Sequence, residues 1–99
     1  MAMTPEKKVK DQIKKLLDAN QIYHFSPYMA GMGRSGVPDI IACFKGRFIA
    51  IEAKAGNNKP TALQEREISK IQACGGHAMV INENNLDTLE FVIKQILGE

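Results

Sequence analysis

The sequence lacks the features that mark several common protein classes. Only two cysteines, Cys43 and Cys74, occur among its 99 residues. They are too few and too far apart for a disulfide framework, and free buried thiols are the expectation. Cys74 and His77 have the three-residue offset that some zinc sites use, but Gly75-Gly76 lies between them and no second ligand pair follows. No apolar run approaches the ~20 residues that span a bilayer, and the first residues, Met1-Ala2-Met3-Thr4-Pro5-Glu6, lack the apolar stretch of a signal peptide. The expectation is a cytoplasmic protein of a bacterium or a phage-infected cell, without membrane association. There is no internal repeat and no composition break, so residues 1–99 read as one domain. A domain this small has a modest stability margin, and association with a second copy would raise it. Charge of one sign is also lacking: 13 Lys+Arg stand against 11 Asp+Glu, a net +2. That balance does not by itself argue for nucleic-acid binding, so the placement of the charges matters more.

What is present is an ordinary folded composition, 44% hydrophobic and 24% charged. Residues 5–20 predict a helix, with Thr4 as N-cap and Pro5 at the first helical position. Val9, Ile13, Leu16 and Leu17 form its apolar stripe, and lysines 7, 8, 10, 14 and 15 cover the rest. Glu6 continues the apolar stripe toward the N-terminus, and a carboxylate on the inward side calls for a partner or a task. Residues 22–28 read as a short strand and 30–36 as a glycine-rich loop carrying Arg34. Residues 40–44 and 47–53 are two β-like runs separated by Lys45-Gly46, a tight hairpin turn. Residues 61–73 predict a second helix ended by Gly75-Gly76, followed by a strand over 77–81 and an amphipathic helix over 86–97. The order is α-β-β-β-α-β-α, an α/β fold with a mixed sheet flanked by helices.

The hairpin carries the chemistry. With Lys45 and Gly46 as its two loop residues, positions whose numbers sum to 91 stand opposite one another, so Asp39 faces Glu52. Opposed side chains share a face with Cβ atoms roughly 5 Å apart. Two like charges at that distance repel, whereas a divalent cation between them reverses the sign. Lys54 lies two residues beyond Glu52 and shares its face, while Ala53 points the other way. Both faces of the hairpin are otherwise apolar, which predicts central, buried strands. A one-residue slip of register would put the two acids on opposite faces. Two carboxylates with a backbone carbonyl suit magnesium, and a lysine beside them suits the negative charge of phosphodiester hydrolysis. The alternative is a capping role for Asp39 and a surface ion pair between Glu52 and Lys54.

Gly36-Val37-Pro38-Asp39 followed by Glu52-Ala53-Lys54 resembles the PD-(D/E)XK signature of restriction-endonuclease-like nucleases. With Gln64 on a following helix and Glu6 on the first one, nearly the whole chain resembles the virus-type replication-repair nuclease domain, VRR-NUC. The resemblance implies that Asp39, Glu52 and the backbone carbonyl of Ala53 bind Mg²⁺ or Mn²⁺ and that Lys54 is catalytic. It also implies that Glu6 reaches the site directly or through water, with Gln64 in support. Stand-alone members of that family look like homodimers that cut four-way (Holliday) junctions. The implied activity is therefore a metal-dependent endodeoxyribonuclease acting on branched DNA. A monomeric flap-directed or nonspecific nuclease is one alternative, and a non-catalytic DNA-binding module with the same fold is another.

Two of these residues carry a second reading. Thr61-Ala62-Leu63-Gln64 also fits a capping box, in which Gln64 reaches back to the Thr61 N–H. Glu6 in a first helical turn also complements the helix dipole. Arg34, Lys59, Lys7 and Lys14 are candidate phosphate contacts. A solvated helix face is the commoner meaning of the helix lysines, and Lys59 is the better candidate because it follows Lys54 closely. The run from Gly31 to Gly36 matches G-x-G-x-x-G literally. It is followed by Val37-Pro38 and an extended segment rather than a helix, which excludes the dinucleotide-binding geometry.

Overall fold

The computed structural model describes residues 3–28 and 35–99. Arg34 and the glycines at 31 and 33 lie outside the described residues. The elements are α1 (Pro5–Ala19), β1 (Tyr23–Phe25), β2 (Ile40–Phe44), β3 (Arg47–Ala53), α2 (Ala62–Ala73), β4 (His77–Ile81) and α3 (Leu86–Leu97). They follow the predicted order. The strands form one sheet in the order β1-β2-β3-β4, antiparallel except for the β3–β4 pair, which is parallel.

Thr4 caps α1 by accepting a hydrogen bond from the Lys7 N–H, with Pro5 directly after it. The helix closes with the Gln21 N–H on the Asp18 carbonyl and the Ile22 N–H on the Leu17 carbonyl. This closure puts Gln21 in the left-handed region at φ 57°. Glycine usually fills that position, and Gly75 does so at the matching end of α2, with φ 91°. β1 is shorter than the 22–28 run predicted: only Tyr23, His24 and Phe25 pair, with Cys43, Ala42 and Ile41. Pro27 has no N–H to give a ladder, which is a local reason for the strand to stop.

The hairpin between β2 and β3 has the predicted register, with Ile40 opposite Ile51 and Phe44 opposite Arg47. Lys45 (φ 51°) and Gly46 (φ 79°) both take positive φ, as a two-residue turn of type I′ requires. One face of the sheet presents Ile40, Ala42, Ile49, Ile51, Ala53 and Ile81. These side chains join Val9, Ile13 and Leu17 of α1 and Leu89, Ile93 and Ile96 of α3 in a single core. A fully buried aliphatic side chain of this kind contributes about 1.5–3 kcal/mol.

The opposite face is covered only in part. α2 contacts β3 and β4, yet none of its residues is fully buried. Toward β1 and β2 the face is open, leaving Tyr23, Phe25 and Phe48 exposed. The expectation of a hairpin buried on both faces is corrected here. The expected burial of the thiols is also overturned, since Cys43 and Cys74 are both exposed. Apolar runs on two sides of a strand do not reveal how far a covering helix reaches. Among the described residues, no helix is long and apolar enough to cross a membrane.

Candidate active site

The β2–β3 ladder ends at the Ile40–Ile51 pair. One step beyond, the Asp39 side chain takes over from the backbone: its Oδ2 accepts a hydrogen bond from the Ala53 N–H at 2.8 Å. Asp39 is thereby held at the strand end, close enough to Glu52 for the two carboxyls to interact. Gly36 sets the approach to this point with φ +81°, its backbone pressed against the start of α2. A Cβ there would lie 2.5 Å from the Leu63 carbonyl oxygen and 3.0 Å from the Gln64 nitrogen.

Glu52 is the one buried polar or charged residue among the described residues, at 2% exposure. Its Oε2 accepts from Gln64 Nε2 at 2.6 Å and lies 3.3 Å from Lys54 Nζ. Its Oε1 is buried with no hydrogen-bond partner. A buried carboxylate oxygen without a donor is costly. Burial pushes the Glu52 carboxyl up to about 7, the neighbouring Asp39 carboxylate adds to the rise, and Lys54 opposes it. A cation brought to Oε1 would remove the penalty.

Gln64 fits both readings of its sequence position, because its amide has two ends. The oxygen accepts from the Thr61 N–H at 2.8 Å, while the Thr61 hydroxyl accepts from the Gln64 N–H at 3.2 Å, which completes the capping box. That leaves Nε2 to hold Glu52. The cap therefore fixes which way the amide faces.

Glu6 stands at one remove. Its Oε2 lies 3.7 Å from Lys10 Nζ, and the same ammonium lies 3.5 Å from Asp39 Oδ1. Among the described residues no three acidic, histidine or cysteine side chains gather into a metal cage. The structure brings together Asp39, Glu52, Ala53, Lys54 and Gln64, and connects Glu6 to them through Lys10. Sequence reasoning did not single out Lys10 from the other lysines of α1. The available signal was its position one helical turn after Glu6, where an ion pair forms.

Lys7, Lys10 and Lys14 line an open groove of about 470 Å³, together with Glu6, Asp39, Ser26, Pro27 and Pro38. Two of the three lysines were expected as phosphate contacts. Lys59 is exposed in the segment after β3 and is not part of that groove. A separate hollow of about 430 Å³ beside Phe48, Ile71 and Cys74 is lined by none of the five clustered residues.

The donor set suits a hard divalent cation: two carboxylates at a strand end, one with an unpartnered buried oxygen, and no histidine or thiolate among them. The same groups could also bind a phosphodiester, because Lys54, Lys10 and the basic groove lie beside them.

No model of a known protein family matches the chain. Putative nuclease p44 of Acyrthosiphon pisum secondary endosymbiont phage 1 is 38% identical to it over 58 residues, which are 58% of this chain and 62% of that protein. The chain thus matches less than two thirds of the length of that relative. Among solved structures, one VRR_NUC domain superposes with a TM-score of 0.74 at 23% identity, covering 93% of this chain and 97% of that one. A VRR_NUC domain protein superposes with a TM-score of 0.66 at 21% identity, covering 96% and 89%. At these identities the likeness is one of fold, and the fold of this chain is that of the solved VRR_NUC domains.

Proposed function

We propose that this chain, with the fold of the VRR_NUC domains, is a divalent-metal-dependent endodeoxyribonuclease. The observation that carries the proposal is the buried, unpartnered Oε1 of Glu52, set beside Lys54 and Asp39, the latter also lining a groove with Lys7, Lys10 and Lys14. The resemblance to Putative nuclease p44 supports the same chemistry. Asp39, Glu52 and the Ala53 carbonyl would hold Mg²⁺ or Mn²⁺. When bound, that ion supplies polarisation of the scissile phosphate and a water of lowered pKa.

The chain's own residues have distinct tasks in this reading. Gln64 fixes Glu52 Oε2 and leaves Oε1 for the cation. Lys54 is paired with Glu52 at 3.3 Å, and its charge suits stabilisation of the phosphorane-like transition state better than proton abstraction. Glu6 reaches the cluster from α1, through water or through its contact with Lys10. Lys7 and Lys14 contact phosphates along the groove, with Lys59 as a further contact outside it and Arg34 as another. DNA as substrate puts the protein in the cytoplasm of a bacterium or an infected host cell.

The preferred substrate in this proposal is branched DNA, a four-way junction cut by a homodimer. Two sites related by a two-fold axis suit paired incisions. The exposed Tyr23, Phe25 and Phe48 on the open sheet face are the apolar surface on which two copies would meet.

The test is cleavage of end-labelled four-way junction, flap and plain duplex DNA with and without Mg²⁺ or Mn²⁺, comparing wild type with Glu52→Ala. Paired, metal-dependent cuts in the junction alone, lost in the variant, are the expected result. Cuts in flaps or ends would keep the chemistry and remove the substrate assignment. Absence of any cleavage by the wild type would leave a DNA-binding module.

A further inference from the structure

The two lysines nearest the carboxylates are held differently. Lys54 is 13% exposed and paired with Glu52 at 3.3 Å. Lys10 is 32% exposed and sits between two acids, 3.5 Å from Asp39 Oδ1 and 3.7 Å from Glu6 Oε2. Neither distance is that of a formed hydrogen bond. Asp39 Oδ2 is occupied by the Ala53 N–H, so Oδ1 is the oxygen left to face a cation, and Lys10 stands over it. The same side chain lines the groove with Lys7 and Lys14. Its four-carbon stem can turn from the carboxylates to a ligand in that groove without moving the helix.

We infer that Lys10 is a built-in competitor for the metal position. It neutralises Glu6 and Asp39 when no metal is bound, and transfers to a DNA phosphate in the groove when the metal takes Asp39 Oδ1. Metal and DNA binding are then coupled, each favouring the other by the same factor. The inference rests on the proposed metal-dependent nuclease function. It concerns a positioning residue, since Lys10 acts through Asp39. A free protein with this device holds its metal weakly until substrate draws the ammonium away.

Mn²⁺ binding to the metal-free full chain, measured by calorimetry for wild type, Lys10→Met, Lys14→Met and Asp39→Asn, tests the idea. Removing a positive charge beside the cation should tighten Mn²⁺ binding by about ten-fold in Lys10→Met. Lys14→Met removes the same charge farther along the groove and should change it much less. Affinity for a phosphorothioate four-way junction, read by anisotropy in EDTA and in Mn²⁺, supplies the second measurement. The gain that Mn²⁺ gives wild type should shrink in Lys10→Met. Circular dichroism melts confirm that each variant is folded. Equal or weaker Mn²⁺ binding by folded Lys10→Met, with wild-type binding intact and abolished in Asp39→Asn, would overturn the role of Lys10 alone. If wild type and Lys10→Met both fail to bind Mn²⁺, the metal-dependent reading falls and this inference with it.

Discussion

Removing the charge of Glu52 should make the metal-free protein more stable at neutral pH while abolishing cleavage. The Glu52 carboxyl is pushed up from 4.5 to about 7, chiefly by burial. Below pH 4.5 it is protonated in both the folded and unfolded chains and costs nothing. Between 4.5 and 7 the unfolded chain releases its proton and the folded chain keeps it, so each rise in pH favours unfolding. Above 7 both states are ionised and the loss is complete. At 1.36 kcal/mol per pKa unit, the loss reaches about 3 kcal/mol as an upper limit. Glu52→Gln deletes that dependence, although it also removes the partner of Lys54, so a net gain of about 1–2 kcal/mol at pH 8 is expected. In a domain of this size that corresponds to a melting shift of roughly 5–15 °C. The assay is urea unfolding of wild type and variant in EDTA at pH 5 and pH 8, repeated with Mn²⁺. The two proteins share every other titrating group, so the difference in their pH slopes isolates Glu52. Mn²⁺ should restore stability at pH 8 to the wild type only. Parallel pH slopes for the two proteins between 4.5 and 7 would refute the claim that Glu52 is held in an unfavourable charged state.

Other consequences are equally specific. Gly36→Ala must place a Cβ against the Leu63 carbonyl at a positive φ; a loss of at least about 2 kcal/mol in denaturant unfolding is expected, with cleavage falling further as Gln64 shifts. Gln64→Glu keeps an oxygen for the Thr61 N–H but sets a carboxylate against Glu52. Its helix content should survive in circular dichroism while single-turnover cleavage drops ten-fold or more, a loss of about 1.4 kcal/mol or greater in transition-state stabilisation. Gln21→Gly relieves the left-handed residue that closes α1 and should stabilise the fold by about 1 kcal/mol in urea unfolding.

The parts of the site that lie close in the chain were legible in the sequence. A two-residue turn fixes the register of β2 on β3, so the opposition of Asp39 and Glu52 follows from counting. The Thr61–Gln64 spacing likewise carries the capping box within a single turn. What was not legible depends on contacts between distant segments. Lys10 is one of several lysines on α1; its spacing suggests the pair with Glu6, but only the placement of that helix against the strand end brings it to Asp39. The contact of Gly36 with Leu63 joins segments from different parts of the chain and leaves no local pattern. The open sheet face was hidden for a similar reason: Cys43 and Phe48 alternate as buried residues do, and their exposure depends on how far α2 extends. β1 shortened because Pro27 has no donor, a cue present in the sequence but weaker than the apolar alternation around it.

α2 has a consequence of its own. It buries no side chain completely. It lies against β3 and β4 on a half-buried face that includes Ile68 and Ile71, and Gln72 Nε2 donates to the Ala78 carbonyl. A helix held only by a half-buried face is easier to displace than the helices that close the core on the other side of the sheet. Its contact with Glu52 is Gln64, so any displacement of the first turn of α2 is felt at the Glu52 carboxylate. The grip on that carboxylate is therefore only as firm as a single helical turn, and a molecule that presses on the outer flank of α2 would loosen it from a distance.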